Sequence, residues 1–157
     1  MTYSNFIKFY LKVLIFAVFF LIFWGALVKS HNAGLSVPDW PTTYGYNMFA
    51  YPVSRWKGGI FYEHLHRLIA SLIGALTVVM AVVLTLKKEK RNIVLLSWLS
   101  VFLVSVQGVL GGLTVIYRLP VLISSAHGVL AQTFLLVLIL IYFLITNKEK
   151  LLNFANK

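Results

Sequence analysis

Residues Phe61 to Ser71 read "FYEHLHRLIAS" and crowd Glu63, His64, His66 and Arg67 into five positions at the start of a long apolar run. Carboxylates and imidazoles move protons, and neutral imidazole is a common metal ligand. Polar groups inside a membrane helix are costly, so their presence calls for a partner or a task. His66 lies about six residues inside a run that opens near Ile60, and His127 about six residues inside a run that opens near Val121. At ~1.5 Å per residue both imidazoles sit ~9 Å below the starts of their helices. Two imidazoles at matched depth, with small residues around them, leave room for a flat, wide ligand. A haem ligated by histidine from both sides fits that shape.

Other metal chemistries fit less well. Glu63-x-x-His66 has the spacing of di-iron carboxylate bundles, which need a second such motif and two further glutamates. The remaining acids, Asp39, Glu89 and Glu149, fall in loops or tails, and the chain has no cysteine. Zinc would therefore lack ligands as well.

The elements that position these groups are membrane helices. The chain has 157 residues, 60% of them hydrophobic and only 11% charged, outside the usual soluble range. Four apolar stretches, at 9–28, 60–86, 93–117 and 121–146, can each cross a hydrocarbon core of ~30 Å. They are too long for the ~10-residue alternating strands of a barrel. The first follows Lys8 and Lys12 as a signal peptide would, but it lacks a small-x-small cleavage site and is expected to be retained. The predicted fold is an all-α membrane protein: one domain over 1–157, a four-transmembrane-helix up-down-up-down bundle in the cell (inner or plasma) membrane. Lys8, Lys12, the "KKEKR" run at 87–91, Lys148, Lys150 and Lys157 lie on one side, which the positive-inside bias makes cytoplasmic. N- and C-termini are then cytoplasmic and the 29–59 loop is external. The net charge of +10 reads as a basic, lipid-facing surface and needs no nucleic acid.

Several polar and small residues carry two readings each. Glu63, one turn from His66, suits a proton donor or acceptor beside a redox centre, or a salt bridge to Arg67 or Lys57. Arg67 and Arg118 at the outer end suit haem propionates, or snorkel toward headgroups. In "QGVLGGLT", Gly111 and Gly112 lie level with the histidines, while Gly108-x-x-x-Gly112 also permits close helix approach. The 29–59 loop holds Trp40, Tyr44, Tyr46, Tyr51 and Trp56 and three of the four prolines. It reads equally as a lid or as an aromatic anchor. His64 faces roughly the opposite side of the helix from His66, and His31 lies in the loop; both are read as non-ligands.

"AGLSVPDWP" after the first helix, "EHLHR" opening the second, "QGVLGGLTV" in the third and "AHGVLAQ" in the fourth resemble the haem A synthase family in order and spacing. Each motif alone is weak; the ordered set touches all four helices and the first loop. The resemblance implies that Glu63 is the functional carboxylate and that His66 and His127 are haem-iron ligands. Arg67, Gln107, Gly111 and Arg118 are expected to contact the cofactor. It further implies an enzyme that oxidises a methyl group of haem O to the formyl group of haem A, through successive hydroxylations and loss of water. The haem held would be haem B, substrate haem O or both, with haem O synthase or a terminal oxidase as partner.

Two departures stand out. Full-length members contain two such four-helix halves, and this chain corresponds to one, closer to the N-terminal half by its "GLSVPDWP" loop. A homo-oligomer is therefore expected, its subunits supplying the missing half. Many bacterial members carry a cysteine pair around that loop motif, where Val37 and Thr43 stand here. The alternatives are a bis-histidine cytochrome b for membrane electron transfer and a non-catalytic haem carrier or oxidase-assembly protein.

Overall fold

The computed structural model describes residues 2–155, with the helical backbone alone described over 148–155. Four helices follow one another: α1 Tyr3–Ser30, α2 Gly59–Leu86, α3 Arg91–Ile116 and α4 Val121–Ala155. All four are long and apolar enough to cross a membrane, and among the described residues no strand forms. The chain is thus an all-helical, multi-pass membrane protein. Helix α1 starts at Tyr3 rather than near Phe9. The Thr2 hydroxyl caps it by accepting from the Asn5 amide at 3.4 Å, so the polar segment ahead of the apolar run is helical too. Helix α4 continues past 146 to Ala155, which carries Glu149 into helix rather than tail. The side chains of Lys148 and Lys150, and all of Lys157, lie outside the described residues.

Each helix packs against its chain neighbours, and α4 closes the ring on α1. Helices α2 and α4 are therefore diagonal across the bundle. The Lys12 ammonium lies over the Tyr142 ring and that of Lys87 over the Tyr3 ring, which places the start of α1 and the latter part of α4 toward the α2–α3 turn end. The long loop occupies the opposite end.

The connections are short and sharply turned. Lys88 after α2, and Arg118 and Leu119 after α3, adopt positive φ of 52°, 54° and 60°, a conformation uncommon for residues with a Cβ. Pro120 then precedes α4, where its missing N–H costs no helical bond.

The apolar core occupies only the terminal half of the bundle. Ile7, Leu11, Leu14 and Val18 of α1 meet Ile73, Met80 and Leu84 of α2, Ile93 and Leu103 of α3, and Phe134, Leu138, Ile141 and Ile145 of α4. Their spacing of three, four and seven residues marks the inward stripe of each helix. Continued toward the loop end, the same stripes run through Ile22 and Gly25, Ala70 and His66, Gln107 and Gly111, and Ala131 and His127. None of these is fully buried. Close packing stops at the level of Val18, Ile73, Leu103 and Phe134, and both inward histidines lie beyond it.

Candidate functional site

The residues of "EHLHR" separate by face. His66 points to the bundle interior, against α1. A Cβ on Gly25 would lie 3.2 Å from its Cε1 and 3.7 Å from its Nδ1, so glycine is what lets the ring lie on the α1 backbone. His127 has the same relation to α3, where a Cβ on Gly111 would lie 3.3 Å from its Cε1. Each helical hairpin thus supplies one imidazole and the glycine that seats it. Gln107 donates from its Nε2 to the His127 carbonyl at 2.9 Å and ties α3 to α4 at that level.

Four polar atoms here are buried without a protein partner: Nδ1 of His66, Nδ1 of His127, Oε1 of Gln107 and Oγ of Ser124. Buried polar groups are normally paired, so such a concentration on the inward faces needs an explanation. Among the described residues no group of three or more His, Cys, Asp or Glu assembles a metal site. A haem requires only axial ligands from the protein, and one imidazole on each of two diagonal helices, each seated on glycine, fits that donor set. A surface groove of ≈ 390 Å³ between α1 and α4 lies away from the histidines. Its lining is Phe16, Phe19 and aliphatic side chains with Lys12 and Tyr142, a lipid-facing surface rather than a site for chemistry.

Glu63, His64 and Arg67 turn to the loop instead. One Glu63 oxygen takes the Arg67 guanidinium at 2.6 Å and the other accepts the Val37 amide at 2.8 Å. Arg67 also donates to the carbonyls of Val37 at 2.9 Å, Asp39 at 2.7 Å and Thr42 at 3.1 Å. Of the two sequence readings of Glu63, the salt bridge to Arg67 is the one present. Arg67, expected at a propionate, spends its ω nitrogens on the loop and Glu63. His64 is fully buried, with Nδ1 3.2 Å from the Thr43 hydroxyl and its ring against Tyr51 and Trp56. His31 accepts no role in the interior: its Nδ1 lies 2.9 Å from the Leu27 carbonyl at the end of α1. Arg118 is exposed on the α3–α4 turn.

The loop folds back over α2 as a lid, with its own Val37, Thr43 and Tyr51 buried and its Phe49 and Val53 exposed. Asp39 stiffens its centre, accepting from the Tyr44 amide at 2.7 Å, the Gly45 amide at 2.9 Å and the Thr42 hydroxyl. Burial acts to raise the Asp39 pKa, but these hydrogen bonds outweigh it and hold the carboxyl below its ordinary value. Tyr44 and Gly45, at φ of 50° and 76°, form the turn between Thr43 and Tyr46. Val37 and Thr43, at the positions matched to cysteines by resemblance, each fasten the lid to α2. Within the chain, Gly108-x-x-x-Gly112 brings no second helix close, one of the two readings its spacing allows. A Cβ on Gly108 would meet nothing within 4 Å, and one on Gly112 would fall inside the Trp40 indole of the lid. Gly25 has no counterpart among the residues the sequence singles out, and Trp40 reads there only as one of the loop's interfacial aromatics. A lone glycine amid bulky residues in "FWGALV" was the available signal, because mid-helix glycine is destabilising unless space demands it.

Fold and site together define a multi-pass membrane protein of four helices, with a glycine-seated histidine on each of two diagonal helices beneath a latched loop. The chain belongs to the COX15-CtaA family of cytochrome oxidase assembly proteins, whose family model matches residues 8–157. It is similar to the heme A synthase of Rickettsia africae (strain ESF-5), 28% identical over 141 residues, covering 85% of this chain and 41% of that protein. The heme A synthases of Rickettsia rickettsii (strain Sheila Smith), 29% identical over 141 residues with the same coverage of 85% and 41%, and Rickettsia canadensis (strain McKiel), 28% identical over 146 residues covering 88% and 42%, are comparably similar. The chain therefore spans about two fifths of the length of these relatives. No solved structure matches it.

Proposed function

We propose that His66 and His127 are the axial ligands of a haem held between α2 and α4, and that the chain oxidises a methyl group of haem O to the formyl group of haem A. The observation that carries this reading is where close packing ends. All four inward stripes lose their burial at one level, and the two imidazoles stand just beyond it, beneath the lid. A bound haem supplies a redox-active iron whose behaviour is tuned by its axial ligands and surroundings. The chain supplies position. Gly25 and Gly111 seat the imidazoles, Gln107 fixes α4 at His127, and the lid restricts water. With oxygen taken from water, oxidation of a methyl to a formyl group releases four protons and four electrons, the electrons passing through the bound haem iron to an electron acceptor in the membrane. In this reading the Glu63 carboxylate, one helical turn from His66, is the base that accepts the protons once it is released from Arg67 and Val37.

A second reading has its own support. Both Glu63 oxygens are engaged by Arg67 and Val37. This favours a bis-histidine cytochrome b or a haem carrier in oxidase assembly. Extraction and mass analysis of the bound haems, after expression with a haem O supply, separates the two. The enzyme yields haem A, and Glu63→Gln keeps the haem spectrum while accumulating haem O or a hydroxylated product. Haem that is bound but never formylated, with electron acceptor present, supports the second reading.

A further inference from the structure

Trp40 is 39% exposed on its outer side, yet its inner face is pressed onto α3. A Cβ on Gly112 would lie 2.6 Å from the indole Cε2 and 2.7 Å from Cε3, so the ring rests directly on the α3 backbone. Gly111, the preceding residue, seats His127. On the other side, Arg67 follows His66 and grips the carbonyls of Asp39 and Thr42, which flank Trp40 in the chain. The Asp39 carboxylate braces residues 42–45 from within the loop. The indole thus rests on the residue next to the one that seats His127, and the backbone around it is held by the residue next to His66, in a lid whose Val37 and Thr43 are completely buried. An aromatic that merely anchored the loop in headgroups would need neither a glycine beneath it nor an arginine fixing its backbone.

We propose that Trp40 is a positioning residue that walls the loop end of the compartment containing His66 and His127, with Arg67 as its anchor and Gly112 as its seat. The haem reading enters only in naming what is enclosed. The wall sets how readily water and polar solutes reach the inward faces of α3 and α4, because a bulky, rigid aromatic excludes them at low entropic cost.

The absence of cysteine makes access measurable. Ser124→Cys places one thiol on α4, one turn from His127, where the native hydroxyl is buried. In the full chain, reconstituted in lipid without haem, a membrane-impermeant maleimide should modify this thiol slowly. Adding Trp40→Ala should raise the rate at least about tenfold, because local opening exposes the site. Trp40→Phe should restore slow labelling, and Gly112→Ala, which displaces the indole from the α3 side, should reproduce the Ala effect. Phe49→Ala, on the exposed outer side of the lid, should change nothing. Equal rates with Trp40 present or removed would overturn the proposal, as would a Phe49→Ala effect as large as that of Trp40→Ala. Because the labelling needs no haem, a protein that purifies without haem defeats the haem reading while the maleimide rates still decide the wall.

Discussion

Removing Arg67 tests whether the lid is held by one side chain. Its guanidinium donates to four oxygens, those of Glu63 at 2.6 Å, Asp39 at 2.7 Å, Val37 at 2.9 Å and Thr42 at 3.1 Å. Its side chain is 9% exposed and that of Glu63 6%, so solvent screening offsets little of the pair. Arg67→Ala strands a buried carboxylate and three carbonyls, and breaking a buried pair of this kind costs ~3–5 kcal/mol. At ~1.4 kcal/mol per factor of ten, that is about two to nearly four orders of magnitude in the opening equilibrium of the loop. Native-state hydrogen exchange reads it directly at the Val37 amide, which donates to Glu63, and at the Thr43 amide, which donates to Tyr46 O at 3.0 Å. Both should lose protection in Arg67→Ala, while amides in the packed half of the helices keep theirs. Arg67→Lys, which retains the charge but not the fork, should fall between. Unchanged protection at Val37 and Thr43 would refute the latch.

Gly25→Ala and Gly111→Ala press a methyl against His66 and His127 and should lower the haem-to-protein ratio, whereas Gly108→Ala, facing open space, should leave it intact and add up to ~0.5–1 kcal/mol of helix stability in thermal melts. Asp39, whose carboxyl is held below its ordinary value, contributes stability that is present above its unfolded pKa and lost as pH falls through the depressed folded value. Exchange protection of the Tyr44 and Gly45 amides should therefore hold at neutral pH and collapse only below about pH 4, and collapse at pH 6 would point to another group. Reporter fusions after Lys90 and after Lys148 should report cytoplasm and one near Asn47 the outside, as the cation distribution requires; the reverse pattern would invert the orientation.

The helices were legible because a membrane span is a property of a contiguous run, which four apolar stretches display without reference to one another. The matched depth of His66 and His127 was legible for the same reason, as distance along a helix is fixed by residue count. The lid was not. Arg67 reaches carbonyls 25 to 30 residues away, and backbone acceptors leave no residue-type signal. The dual readings of Glu63 and of Gly112 turned on which surface each faced. That depends on how the loop folds back, and periodicity within a helix says nothing about it. Trp40 looked like one interfacial aromatic among five until its seat on Gly112 was visible.

The central claim is that His66 and His127 ligate one haem between them. Absorption and electron paramagnetic resonance spectra of the purified protein with His66→Ala, His127→Ala and His64→Ala test it most directly. The intact protein should show a low-spin, bis-histidine haem. Each ligand replacement should give high-spin or haem-free protein, and His64→Ala, whose ring is enclosed by Tyr51 and Trp56, should leave the spectrum nearly unchanged. A low-spin spectrum that survives both His66→Ala and His127→Ala would contradict the account.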